Sequence, residues 1–141
     1  MTTRIPIKIL SIDKDGFHLL ASISLNGKKA NVIIDTGASR TVFDKERIKK
    51  FVKTRSKKIK DKLSTGLGTN NMESHHVKIN SLSIGKIKIK NYSTVLLDLS
   101  HVNNSYKQLG LNMIDGVLGS DILFTYKAAI DYHKSSLKLI S

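Results

Sequence analysis

Asp35 is the residue whose surroundings most need explaining. It ends the run Asn31-Val32-Ile33-Ile34, and Thr36, Gly37, Ala38 and Ser39 follow it directly. Apolar residues at successive positions belong to a strand buried on both faces. The carboxylate is therefore expected in a low-dielectric spot at the end of a buried strand. An unpartnered carboxylate there is costly. It must be hydrogen-bonded, ion-paired or kept protonated, and these conditions suit a carboxyl to acid–base chemistry. Gly37 allows a sharp turn and the close approach of another backbone. The plainer reading of the same residues is an Asx-type turn between two strands.

Two further stretches supply context. In "IDGVLGSDIL", residues 114–123, a second apolar strand ends in glycine at Val117-Leu118-Gly119. Between the two strands, "STGLGTNN", residues 64–71, is a glycine-rich polar tip flanked by β-prone segments, the pattern of a mobile hairpin. Other candidates read as structural. Asp121 and Asp131 suit a cap and a turn bond better than a metal site. His75 and His76 are adjacent on a strand, so they point to opposite faces and cannot share one ion. His18, His101 and His133 are scattered. No Ser/His/Asp spacing, phosphate-cradling GxxxxGK or zinc signature is present, and neither a metal nor a cofactor is expected. With no Cys, disulfides and thiolate chemistry are excluded.

The elements that position these residues are mainly strands. "RIPIKILSI" places Ile5, Ile7 and Ile9 on one face. "FHLLASISLNG" alternates through Leu19, Ala21, Ile23 and Leu25 to Asn26-Gly27, which before "KKANVIID" predicts a hairpin with a type I′ turn. "HVKINSLSIGKIKIKNYSTVLLDL" keeps a period of two, with breaks expected at Asn80-Ser81, near Gly85 and at Asn91, so it reads as several strands. Residues 44–62 are the exception. Ile48, Phe51 and Val52 sit at helical spacing behind Asp44 as N-cap, and the Lys-rich run from Lys45 to Lys62 is a solvated face. A second short helix is expected at "GSDILFTY", capped by Ser120 or Asp121. No fixed-length repeat or linker divides the chain, and residues 1–141 are expected to form one domain.

In order and spacing, "VIIDTGAS", "STGLGTNN" and "GVLGSDIL" followed by "YKAAIDY" resemble the retropepsin family of aspartic proteases, and among them the bacterial retropepsin-like proteins. The resemblance covers residues 15–140. It implies an all-β, closed barrel of the acid-protease type with one or two short helices, homodimeric when active. It implies that Asp35 is the catalytic carboxylate, that Thr36 bonds across to the partner's loop, and that Gly37 lies under the substrate backbone. Ala38 would pack beneath the site. Ser39 stands where viral members often place a carboxylate that contacts substrate, a departure that bears on recognition of the substrate's ends. Gly66, Leu67 and Gly68 would form the flap, and Val117, Leu118 and Gly119 would support the site. The chain has one Asp-Thr-Gly, since "SID" at Asp13, "LLD" at Asp98 and "AID" at Asp131 lack the Thr-Gly. A pair of carboxylates therefore requires two chains, with a two-fold axis between the two Asp35 side chains. The termini, "IPIKIL" and "SLKLIS", are β-prone and are expected to pair at that interface.

The function these residues point to is endopeptidase action on an extended peptide by an activated water. The alternative is a catalytically silent or self-inhibited peptide- or protein-binding module of the same fold. Composition agrees with a protein partner. Lys+Arg number 24 against 11 Asp+Glu, a net charge of +13, yet the cations are mostly Lys, with Arg at positions 4, 40, 47 and 55. Nucleic-acid readers lean on Arg forks, and nucleic acid is not expected as a partner. At 40% hydrophobic over 141 residues the chain supports a sizeable core. No run is long enough to span a membrane, and "MTTRIPIKIL" alternates instead of forming a signal-peptide core. The cytoplasm is the compartment expected.

Overall fold

The computed structural model describes residues 1–12, 16–53 and 75–141. The expected hairpin is present. Strands β2 (Phe17–Leu25) and β3 (Lys28–Ile34) turn through Asn26 and Gly27, whose φ values of 51° and 84° both lie in the left-handed region that a type I′ turn needs. Leu19, Ala21, Ile23 and Leu25 of β2 face inward with Ala30, Val32 and Ile34 of β3. Strand β1 (Thr2–Ser11) buries Thr3, Ile5 and Ile7 on the same rule of two.

The long alternating stretch forms one hairpin and not several strands. Strands β5 (His75–Ile84) and β6 (Ile87–Leu97) pair from end to end around Gly85. The breaks expected at Asn80-Ser81 and Asn91 end neither strand. Asn91 takes a φ of 56° inside β6, a distortion that asparagine tolerates, and the pairing skips Asn80 and Asn91 and resumes on either side. Gly85, at φ 58°, could not carry a side chain, because a Cβ there would lie 2.3 Å from Thr3 Oγ1.

Two short strands close the sheet. Strand β4 (Val42–Asp44) lies between β6 and β7 (Gly116–Leu118), and β7 lies parallel to β3. The order β3-β7-β4-β6-β5-β2 returns to β3 through the β2–β3 hairpin, so six strands form a closed barrel. Its interior holds Val32, Phe43, Ile79, Leu82, Ile84 and Leu118, each almost fully buried. Burying an aliphatic side chain of this size contributes about 1.5–3 kcal/mol. From β2 the sheet continues outward through β1, β9 (Ser136–Ile140) and β8 (Ala129–Asp131). The two ends of the chain pair with each other within one protomer: Thr2 opposes Ile140, and the backbones of Met1 and Ser141 exchange two hydrogen bonds. The pairing of the termini is thus made inside one chain, and not at the interface between chains where it was expected.

Two short α-helices complete the architecture, an all-β closed barrel with helical additions. Helix α1 (Ser100–Gln108) packs with Tyr106 and Leu99 against Ile33, Val117 and Leu20 on the outside of the barrel. Strands β3 and β7 are thereby covered on both faces, which is why their residues are apolar in succession. Nothing in the sequence reading anticipated α1. Its start is marked by Asp98, whose Oδ1 accepts from Ser100 N at 2.9 Å, and its end by Gly110 at φ 72°. Helix α2 (Ser120–Thr125) is the one expected at "GSDILFTY", but its N-cap is Gly119, and the Asp121 carboxylate is turned to another task. The helix expected over 44–62 is, within the described residues, a single 3-10 turn at Arg47–Lys50. Its N-cap is Glu46 and not Asp44 as expected, although Asp44 Oδ2 accepts from Glu46 N at 3.1 Å and Arg47 N at 2.9 Å just ahead of the turn. Residues 54–62 lie outside the described residues.

Candidate active site

Asp35 leaves the C-terminal end of β3, next to the C-terminal end of β7. Val32, Ile33 and Ile34 stand beside Gly116, Val117 and Leu118 in parallel register, and Asp35 N donates to Leu118 O at 3.0 Å. The chain then turns: Ala38 N donates to Asp35 O at 3.1 Å, and Gly37 N donates to Asp35 Oδ1 at 2.9 Å. The turn is thus of the Asx type, and it fixes the carboxylate's orientation with the adjacent glycine amide. Asp35, Thr36 and Gly37 are exposed, and Ala38 is half-buried. This corrects the expectation of a buried carboxylate. The apolar strand is buried, but it stops at Ile34, and its last residue projects beyond the barrel's rim.

The residues after the turn are held down by the glycine that ends β7. Ser120 N donates to Ala38 O at 2.7 Å, and Ser120 Oγ donates to Ser39 O at 3.4 Å. A Cβ on Gly119 would fall 2.5 Å from the Arg40 carbonyl carbon and 2.9 Å from Ala38 O. The glycine is required because backbone crosses backbone here, and its own φ of −103° imposes nothing.

Beneath this crossing lies a polar network that sequence reasoning did not find. Thr41 is fully buried. Its N and Oγ1 both donate to Asp121 Oδ1, at 2.9 and 2.8 Å, and its Oγ1 accepts from Gly119 N at 2.9 Å. Tyr92 Oη donates to the other oxygen of Asp121, and Thr94 Oγ1 donates to Thr41 O. Burial acts to raise the Asp121 pKa, but the hydrogen bonds from Tyr92 and Thr41 outweigh it and hold the carboxyl below its usual range. Burial, reinforced by the bond to Asp121, pushes the Tyr92 hydroxyl up to about 12. Asp121 therefore serves the loop bond foreseen for it and ties α2, β6 and the Asp35 loop together. The signal available in the sequence was its place two residues after Gly119, on the first turn of a helix.

A second brace sits at the other end of the β3–β7 pair. Asp115 Oδ2 accepts from Asn31 N at 2.8 Å, and Asp115 Oδ1 pairs with Arg47 Nε at 2.8 Å. Asp44 Oδ1 accepts from Leu99 N, also at 2.8 Å. Both carboxylates are only 4% exposed. Among the described residues no buried side-chain polar atom lacks a partner, and no group of three or more His, Asp or Glu could hold a metal ion. Asp131 Oδ1 accepts from Lys134 N at 2.9 Å in the β8–β9 turn, apart from Asp121's hydrogen bonds. Val117, Leu118 and Gly119 thus lie directly under the Asp35 turn. Gly66, Leu67 and Gly68 lie outside the described residues. No helix among the described residues is long and apolar enough to cross a membrane.

Comparison with known proteins converges on this region. A family model described as aspartyl protease matches residues 21–122. The fold is similar to the crystal structure of a retropepsin-like aspartic protease from Rickettsia conorii, with a TM-score of 0.58 and 26% identity over 99% of this chain and 91% of that one. It is also similar to the retroviral protease-like domain of Ddi1 from Leishmania major, with a TM-score of 0.55 over 86% of this chain and 87% of that one. At 12% identity the latter likeness is one of fold. No curated protein sequence matches the chain.

Proposed function

The chain belongs to the aspartyl protease family, and on that footing we propose that it is an endopeptidase whose active form is a homodimer. Residues 1–141 form one such domain in this reading. Two Asp35 carboxylates, one from each protomer, face each other across a two-fold axis. Like charges at close range do not both ionise, so the pair shares a proton. The ionised member takes a proton from a water held between them, and the protonated member polarises the scissile carbonyl and later returns a proton to the leaving amine. Gly37 and Ala38 underlie the substrate backbone, with Ser39 beside them. Gly66, Leu67 and Gly68 cover it from above, and Thr36 grips the partner's loop. The substrate is a peptide in extended form. No metal or cofactor enters the reaction as written.

The observation that carries this reading is the exposed Asp35-Thr36-Gly37 turn seated on Leu118-Gly119, with its carboxylate oriented by the Gly37 amide. A single chain supplies one such carboxylate and leaves it on an open rim. The described grooves of about 290–330 Å³ are lined without Asp35. A second copy facing the rim supplies both the missing carboxylate and the missing cleft wall.

The test is cleavage of a diverse peptide pool by the purified chain from acidic to neutral pH, read by mass spectrometry, with Asp35→Asn alongside. Cuts made by the wild type and lost in the variant are expected. Cuts that persist in Asp35→Asn would refute the mechanism. Peptide capture without cutting by either protein would move the chain to the binding-module alternative.

A further inference from the structure

Away from Asp35, the outer faces of β1, β2 and β3 form an open groove of about 290 Å³ beneath the α1–β7 connection. Pro6, Leu10, Leu20 and Leu111 give it an apolar floor, and Lys8 and Lys29 stand at its rim. A second hollow of about 330 Å³ adjoins it, sharing Lys29, Asn31 and Asn112 and adding Arg47 and Lys50. The single carboxylate lining either hollow is Asp115. It is 4% exposed and already bonded to Arg47 and to Asn31 N. An occupant therefore meets leucine side chains below, three lysines around it and no accessible anion.

We propose that this groove is a docking surface for an acidic, leucine-bearing segment of a partner protein. Charge and apolar floor together select that chemistry. Carboxylates satisfy Lys8, Lys29 and Lys50, while alternate apolar side chains fill the floor, as an extended segment presents them on opposite sides. A second copy of this chain is a poor occupant, because the pairing proposed above runs through the Asp35 rim, which lines neither hollow, and a chain with 11 Asp+Glu against 24 Lys+Arg has little acidic surface to offer these lysines. Nucleic acid is also poorly suited, because the floor is leucine with Phe51 the single aromatic lining either hollow, too little for a stacking platform, and Arg47 is engaged by Asp115. If the chain is a protease, such a segment anchors a substrate at a distance from the bond to be cut. The groove's binding does not depend on that reading, and its test does not use turnover.

A fluorescein-labelled peptide of roughly ten alternating Glu and Leu residues, the length of an extended strand, is titrated with the full chain carrying Asp35→Asn, which keeps the probe uncut. Fluorescence anisotropy reports binding. The expected result is an affinity reduced about tenfold by K8E/K29E and changed less than about twofold by K88E/K90E, an equal charge reversal on exposed positions of β6. All four lysines are exposed, and a melting curve for each variant checks that the fold is kept. Equal losses in the two double variants would overturn the proposal. So would no binding of the peptide, or equally tight binding of a DNA oligonucleotide of the same charge.

Discussion

Replacing Asp121 by Ala should destabilise the protein strongly, although the residue is half-exposed. The side chain accepts from Thr41 N, Thr41 Oγ1 and Tyr92 Oη. A hydrogen bond to a charged acceptor contributes about 1.5–3 kcal/mol, and a buried donor left unmade costs about 1–3 kcal/mol. Thr41 is fully buried, so its amide and hydroxyl lose their acceptor without ready access to water, whereas the half-exposed Tyr92 can turn to solvent. The three bonds share one carboxylate and do not add, which brings the expected loss to about 2–4 kcal/mol. Asp121→Asn keeps an oxygen for Thr41 and can donate to Tyr92, so its loss should be about 1 kcal/mol. Urea denaturation at one fixed protein concentration reads both. With a slope of about 2 kcal/mol per molar, Asp121→Ala should lower the midpoint by about 1–2 M. A midpoint within about 0.3 M of wild type, on that same slope, would refute the network. So would an Asn variant as damaged as the Ala variant.

Three more outcomes follow from the same geometry. Gly119→Ala should cost about 3 kcal/mol, because its Cβ would meet backbone atoms of Arg40 and Ala38 that cannot give way; a wild-type urea midpoint would contradict this. Tyr92, pushed up to about 12 from the ordinary 10.0, favours the neutral phenol when folded, so its contribution is whole below pH 10 and is lost as pH rises to 12. Two units correspond to about 2.7 kcal/mol, which partial exposure reduces to about 1 kcal/mol; wild type should lose this amount relative to Tyr92→Phe over that range, and parallel stability curves would exclude it. Thr36→Ala should weaken self-association about tenfold while leaving the melting of the monomer unchanged, if the hydroxyl makes the cross-chain bond. Identical sedimentation of variant and wild type on dilution would remove that role.

The local features were legible because their causes are local. Asn26-Gly27 specifies its turn through the backbone angles those two residues accept. Val32-Ile33-Ile34 announces a strand covered on both faces, and it is covered, by the barrel interior on one side and α1 on the other. What escaped depends on distant partners. Thr41 and Asp121 are 80 residues apart, and no pattern within either neighbourhood signals the other. Helix α1 escaped because its buried face includes Asn103, which reads as a surface or turn residue. Asn103 is buried because its amide donates to Ile114 O and accepts from Ile114 N, substituting for a backbone ladder. The exposure of Asp35 escaped for the opposite reason. The apolar run before it predicts burial, and only the barrel's geometry shows that the rim lies one residue beyond Ile34.

The parallel pairing of β3 with β7 also sets an order of events. Asn31 and Asp115, which begin that pairing, are 84 residues apart. Contacts of such long range close late and slow the folding of β-rich chains. As the chain leaves the ribosome, Asp35 emerges with the β2–β3 hairpin, ahead of β7, and has no platform until Gly116–Gly119 follows. A growing chain thus carries the Asp35-Thr36-Gly37 segment without the Leu118 carbonyl that its turn is seated on until β7 has been made. The β7 strand that closes the barrel is thus the same strand that seats the Asp35 turn.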